Sequence, residues 1–296
     1  MVAGLCAGLA AYPPAQQPAP SFRSSVDAVS VPVSVIDRNR PVTGLSAADF
    51  ELLDNGVAQV FTAAPVESLS VDVTLVLDTS GSVKGPALEQ FKADVQDIAE
   101  SMQTNDRVRL LTFATSVTDV FGLQPGGARL PVERIEAGGA TSFYNALAAA
   151  LMAFPQAERP QLVFGFTDGL DNMSFLDARQ VATLAGHSGA SLYLALVAPA
   201  GRPDNLATIG RMTPYDGGPN RRVLQEAVAR NGGALYEKPA GTPLPALFRQ
   251  VLDDFRASYV LSYPPRGVTG KGWHEVVVHT KNSLYTVRAR KGYDGG

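Results

Sequence analysis

The stretch Val73-Thr74-Leu75-Val76-Leu77-Asp78-Thr79-Ser80-Gly81-Ser82 decides how the rest of the chain is read. Its first half is a nearly unbroken β-branched and aliphatic run, the composition of a strand buried on both faces of a parallel sheet. The run stops at a carboxylate, and hydroxyls follow at alternate positions. Leu162–Phe166 repeats the arrangement, closing on Thr167-Asp168-Gly169.

Helical periods lie between these runs. Pro86 to Met102 carries Leu88, Phe91, Val95, Ile98 and Met102 at helical spacing, with Pro86 suited to a first turn. Val108–Phe113 reads as a strand, with Val117–Phe121 beside it as a short edge strand. Thr141–Phe154, Phe175–His187, Arg221–Asn231 and Leu244–Ala257 read as helices, and Leu192–Val197 and Ala234–Glu237 as strands. Strands alternating with helices of this length predict an α/β fold, a mostly parallel sheet covered on both faces. Residues 199–220 break the rhythm and read as an inserted loop.

The flanks change period. Val29, Val31, Val33 and Val35 alternate with smaller residues, and Ala48–Leu53 leads through Asp54-Asn55-Gly56 into Val57–Ala63, a hairpin signal. After residue 258, Tyr259–Tyr263, Trp273–Thr280 and Leu284–Arg290 again read as strands. The expected organisation is a signal-like segment and Pro-rich tether (1–25), an N-terminal β flank (26–70), an α/β domain (71–258) and a C-terminal β flank (259–296). Either the two flanks pair in one small β-sandwich with the α/β unit inserted between them, or they form separate small units.

A net charge of −3 over 296 residues singles out neither nucleic acid nor anionic lipid as partner. Three histidines and one cysteine leave little for a zinc site or a Cys/His nucleophile pair, so metal chemistry here is oxygen chemistry. Met1–Ala11 is small and apolar, and Tyr12–Pro20 is rich in proline and glutamine. A signal peptide lacking its basic start accounts for this and implies an extracellular or periplasmic protein; a disordered N-terminus is the alternative. No integral membrane span is expected.

The aspartate–hydroxyl turns, together with Thr141 after Gly138-Gly139, all follow strands or open helices. In an open parallel sheet, ligands gather outside the carboxyl ends of the strands, which brings the three segments to one rim. Asp78 and Asp168 supply charge, and Ser80, Ser82 and Thr141 supply neutral oxygens. Such a set suits a six-coordinate hard cation with one position left over: Mg²⁺, with Mn²⁺ or Ca²⁺ as substitutes. Two carboxylates balance a dication, so the remaining position suits an Asp or Glu carboxylate from a protein partner.

Asp78-x-Ser80-x-Ser82, then Gly-Gly-x-Thr141-Ser-Phe-Tyr-Asn-Ala-Leu, then Phe-Thr-Asp168-Gly resembles the metal-ion-dependent adhesion site (MIDAS) of von Willebrand factor A (VWFA) domains. The resemblance spans roughly residues 71–258, and all five family ligand positions carry a matching residue. It implies a Rossmann-like, doubly wound sheet, and a binding module rather than an enzyme. Pro41–Gly56 and Ser258–Tyr293 are similar to an exported VWFA-related group known mainly from acidobacteria. The resemblance also makes Leu244–Ala257 the counterpart of a helix that shifts on ligand binding in related domains.

Other features read more plainly. Gly186-His187-Ser188-Gly189 lies between a helix and a strand, the reverse of a nucleophile elbow. His274 and His279 face opposite sides of one strand. Asp171 reads as a solvated turn residue or as an acid behind the cation ligands. Phe143-Tyr144 reads as helix core or partner contact, and Arg288, Arg290 and Lys291 as a solvated strand face. Asp78–Ser82, Gly138–Thr141 and Thr167–Gly169 contain no His or Lys base for metal-dependent hydrolysis.

Overall fold

The structure, a computed structural model, describes residues 28–81, 83–153, 159–167, 171–197, 221–238, 241–268 and 271–295. The signal-like segment, the whole of loop 199–220, Ser82 and Asp168 lie outside them. The chain opens with strands β1 (Val29–Asp37), β2 (Arg40–Pro41), β3 (Phe50–Asp54), β4 (Val57–Ala58) and β5 (Thr62–Pro65). Asn55 and Gly56 turn the β3–β4 hairpin with φ of 46° and 80°, the paired positive values of a tight primed turn. The single strand expected over Val57–Ala63 is interrupted. Gln59 is buried there and bonds Val57 O, Arg266 O and Arg266 N, which sends β4 and β5 to different sheets.

The α/β unit follows: β6 (Asp72–Asp78), α1 (Pro86–Glu100), β7 (Arg107–Phe113), β8 (Val117–Pro125), α2 (Phe143–Leu151), β9 (Gln161–Thr167), α3 (Ala178–His187), β10 (Ser191–Val197), α4 (Arg221–Asn231), β11 (Ala234–Lys238) and α5 (Leu244–Arg256). Its sheet runs β11-β10-β9-β6-β7-β8, parallel throughout except for the antiparallel edge strand β8. Numbered within the unit, this is the doubly wound order 3-2-1-4-5-6, with its switch point between β6 and β9. Strand alternation divides the core. Val73, Leu75 and Leu77 pack with Phe91, Val95 and Ile98 of α1 and with α5, whereas Val76 joins Phe143, Leu147, Val181 and Leu224 of α2, α3 and α4. Each such side chain, fully buried, contributes about 1.5–3 kcal/mol.

The chain closes with β12 (Tyr259–Tyr263), β13 (Gly272–Thr280), β14 (Thr286–Ala289) and β15 (Gly292–Gly295). One sheet runs β14-β1-β12-β5 with β2 on β1, and the other β15-β13-β3-β4. Val31, Val33, Val35, Tyr259 and Leu261 of the first meet Phe50, Leu52, Val276 and Val278 of the second, so strands from both ends of the chain share one sandwich core. Asp54 is fully buried in it and accepts hydrogen bonds from Tyr263 (2.9 Å) and Tyr293 (2.7 Å), with His274 Nδ1 at 3.1 Å. Arg290 belongs to this interior rather than to a solvated face. It is 8 % exposed, donates to Gly292 O, and burial lowers the pKa of its guanidinium. The sandwich meets the α/β unit at Asn231↔Arg290, at Lys291 N→Arg230 O, and where His187 stacks edge-on against Trp273.

Candidate cation site at the switch point

β6 delivers Asp78 to the carboxyl end of the sheet with only 8 % exposure. Its Oδ1 accepts from Ser80 N at 2.8 Å, an aspartate turn that lifts the chain off the strand. Its Oδ2 accepts from Thr167 Oγ1 at 3.2 Å, so the ends of β6 and β9 are tied across the switch-point crevice. The sequence places Thr167 in the rim segment Thr167-Asp168-Gly169 but gives its hydroxyl no role, because its partner lies 89 residues away. Ser80 is also buried, at 9 % exposure.

The segment before α2 is laced to this turn by Gly138 N→Thr79 O (2.8 Å) and Gly81 N→Gly139 O (3.1 Å). Gly139 has φ +90°, and a Cβ there would stand 2.3 Å from Thr115 Oγ1, the hydroxyl that accepts from Ala140 N. Only glycine fits both the backbone and the contact. A Cβ on Gly138 would come within 3.5 Å of Lys84 Cε, so Lys84 brings a cation over a segment that holds none of its own.

Thr141 is 6 % exposed. Its N–H donates to Asn172 Oδ1 (2.8 Å), and its carbonyl accepts from Asn172 N and Met173 N. The helix starts later than expected. Ser142 takes the N-cap position without capping, and its buried Oγ has no partner among the described residues. Neighbours do the capping instead: Asp171 Oδ2 accepts from Tyr144 N (2.9 Å), and Ser174 Oγ accepts from Asn145 N (3.0 Å). Asp171 also accepts from Ser174 N and Ser174 Oγ. It is therefore a half-buried bracket between α2 and the next loop, not a solvated turn residue. Asn145 Oδ1 accepts in turn from Phe175 N and Leu176 N, holding those residues off the helix predicted to contain them. α3 begins only at the Asp177/Gln180 capping box. Phe143 is core and Tyr144 half-buried.

Asp78, Ser80 and Thr141 are thus carried by segments bonded directly to one another or through Thr167 and the Gly138-Gly139 bridge. Ser82 and Asp168 fall outside the described residues; Asp168 follows Thr167 directly in the chain. No cluster of three His, Cys, Asp or Glu side chains forms a metal site among the described residues. A carboxylate among hydroxyls is hard-oxygen chemistry of the kind Mg²⁺ and Ca²⁺ take, and the unpartnered Ser142 Oγ adds a further oxygen beside Thr141. Grooves of about 460 Å³ along β13–β14 and about 480 Å³ along α3–α4 lie away from this rim, and neither is lined by a rim residue. No described helix is long and apolar enough to cross a membrane.

Residues 73–184 match a family model described as a VWA-like domain (DUF2201). No curated protein sequence matches the chain. Among solved structures, proximal thread matrix protein 1 from the mussel byssus is 17 % identical with a TM-score of 0.50, over 69 % of this chain and 49 % of that one. A structure of that mussel protein with a zinc-occupied MIDAS motif is 16 % identical with a TM-score of 0.48, over 75 % and 50 %. A von Willebrand factor type A protein from Catenulispora acidiphila is 11 % identical with a TM-score of 0.48, over 93 % and 65 %. At this identity the likeness scoring 0.50 bears on fold alone, and the two scoring 0.48 carry no argument; the fold rests on the matched family model and the strand order. The α/β unit has a VWA-type fold.

Proposed function

We propose that the chain is a cation-dependent protein-binding module in which Asp78, Ser80, Ser82, Thr141 and Asp168 hold a divalent cation that docks an acidic side chain of a partner. The carrying observation is the Asp78–Thr167 bond across the switch-point crevice, with the Gly138–Thr141 segment bonded to the same turn. A VWA-like match over residues 73–184 supports the same reading, since such domains commonly mediate protein interactions. Mg²⁺ fits the donor set, with Mn²⁺ or Ca²⁺ able to replace it. With two carboxylates neutralising the dication, the ion keeps enough electrophilic character to hold one more anionic oxygen. The module is read as binding rather than catalysing: Asp78–Ser82, Gly138–Thr141 and Thr167–Gly169 carry no His or Lys of their own, and Lys84, which reaches over Gly138, is assigned to attracting the acidic partner. It works outside the cytoplasm, a placement resting on the apolar Met1–Ala11 run and on the similarity of its flanks to exported proteins.

Calorimetric titration with Mg²⁺ and Mn²⁺ tests the site. Asp78→Ala and Asp168→Ala each abolish binding while circular dichroism stays native; unchanged affinity in both removes the assignment. A brace-only role is separated by chelation, which would then lower the melting temperature without altering carboxylate binding.

A further inference from the structure

Beside Thr141 the rim presents apolar side chains where a solvated turn would need none. Phe175 is 97 % exposed and Met173 45 %. Single exposed apolar residues are ordinary on a protein surface. These two differ in how firmly they are held: Met173 N bonds Thr141 O, Phe175 N bonds Asn145 Oδ1, and Ser174 between them is bonded three ways to Asp171 and Asn145. The loop thus keeps both side chains in water on a backbone anchored to the start of α2, which lowers the ordering cost of binding against them. Lys84, over Gly138, adds a positive charge from another segment of the same rim.

We propose that the rim recognises a two-part epitope, a polypeptide segment in which an acidic residue is flanked by a large apolar one. The acidic side chain lies toward the cation and Lys84, and the apolar side chain packs on Phe175 and Met173. This rests on the cation-docking reading above and adds the partner's chemistry to it. Charge complementarity to Lys84 and the cation selects an acidic segment, and the apolar pair excludes one that is acidic throughout.

The test uses three capped tripeptides, acetyl-Leu-Glu-Leu-amide, acetyl-Ala-Glu-Ala-amide and acetyl-Leu-Gln-Leu-amide. They are titrated into full-length protein labelled at its methionine methyls, so that Met173 reports directly. In Mg²⁺ the Leu-Glu-Leu probe binds about tenfold tighter than Ala-Glu-Ala, the factor that roughly 55 Å² of newly buried apolar surface supplies. Phe175→Ala brings that ratio to about one, and Leu284→Ala, an exposed hairpin residue of the sandwich, leaves it unchanged. A ratio near one in the wild type, or a tenfold ratio surviving in Phe175→Ala, overturns the proposal. If Leu-Gln-Leu binds as well as Leu-Glu-Leu and EDTA changes neither, the cation reading falls while the apolar contact stands. If no probe binds, both fall.

Discussion

Removing the Asp171 carboxylate is expected to loosen the cation rim from behind, without touching any proposed ligand. Asp171 accepts Tyr144 N at 2.9 Å, Ser174 N at 3.1 Å and Ser174 Oγ at 2.6 Å. Because Ser142 does not cap α2, Asp171 is the acidic group at that helix's start, accepting Tyr144 N itself and holding Ser174 Oγ, which accepts Asn145 N. A capping side chain is worth about 0.5–2 kcal/mol, and a carboxylate at a helix N-terminus adds about 0.3–1 kcal/mol. The site is half-buried, so water recovers part of the loss in the variant. Asp171→Ala should therefore cost about 2 kcal/mol locally, and Asp171→Asn, which keeps an acceptor but not the charge, about half of that.

Native-state hydrogen exchange reads this directly. In Asp171→Ala the amides of Tyr144 and Asn145 lose about 30-fold protection, the population change that 2 kcal/mol produces, while the sandwich strands keep theirs. Because Asn172 holds Thr141 from the same loop, Mg²⁺ affinity falls about tenfold, the low end of what removing a supporting partner costs a metal site. Protection at Tyr144 within threefold of wild type would refute the bracket. Lost protection with unchanged Mg²⁺ affinity would refute its link to the cation.

Gly139→Ala meets both a φ of +90° and Thr115 Oγ1 at 2.3 Å; thermal unfolding should show a loss of about 1–3 kcal/mol, and adding Thr115→Ala should relieve the clash but not the backbone strain. Gly233→Ala would push a Cβ to 1.8 Å from Leu192 O, a backbone atom that cannot yield, so soluble expression should fail. Burial and hydrogen bonding to Asp54 raise the pKa of the Tyr263 and Tyr293 phenols. A folded-state pKa raised above the unfolded value of about 10 gives stability that is whole below that pH and lost as pH climbs beyond it. Urea midpoints should therefore drop steeply above about pH 10, and less steeply in Tyr263→Phe; an equal slope in the two would count against the buried phenol as the cause.

The parallel sheet was legible because strands buried on both faces leave unbroken apolar runs, as at Val73–Leu77 and Leu162–Phe166. What periodicity could not carry was strand order, since β6 takes neighbours from both later halves of the unit. Strand β15 is hidden for another reason: Gly292-Tyr-Asp-Gly295 has no alternating apolar pattern, and its register is set by its partner in β13, Gly272–Glu275. Phe175 and Leu176 fit the apolar positions of a longer helix, although α3 spans only Ala178–His187. The Asp177-x-x-Gln180 box was the better signal and marks the true start. Arg290 looked like part of a basic face because a charge run carries no record of which sheet covers it.

At the rim the division is sharper. Residue types and spacing pick out Asp78, Ser80 and Thr141, but the groups that hold them, Thr167, Asn172, Thr115 and Asp171, are polar residues in turn-like contexts with partners distant in sequence. Their local sequence reads the same whether they face water or another loop. This follows from how the site is built. Three of the five proposed ligands are neutral hydroxyls, which a bound cation would orient only weakly, so the surrounding backbone has to fix them in advance. The chain does so by spending side-chain acceptors on main-chain N–H groups: Asn172 on Thr141, Asp171 on Tyr144, Asn145 on Phe175 and Leu176. Those bonds order the oxygens and the apolar edge together, so the partner proposed above would meet both in a set relation.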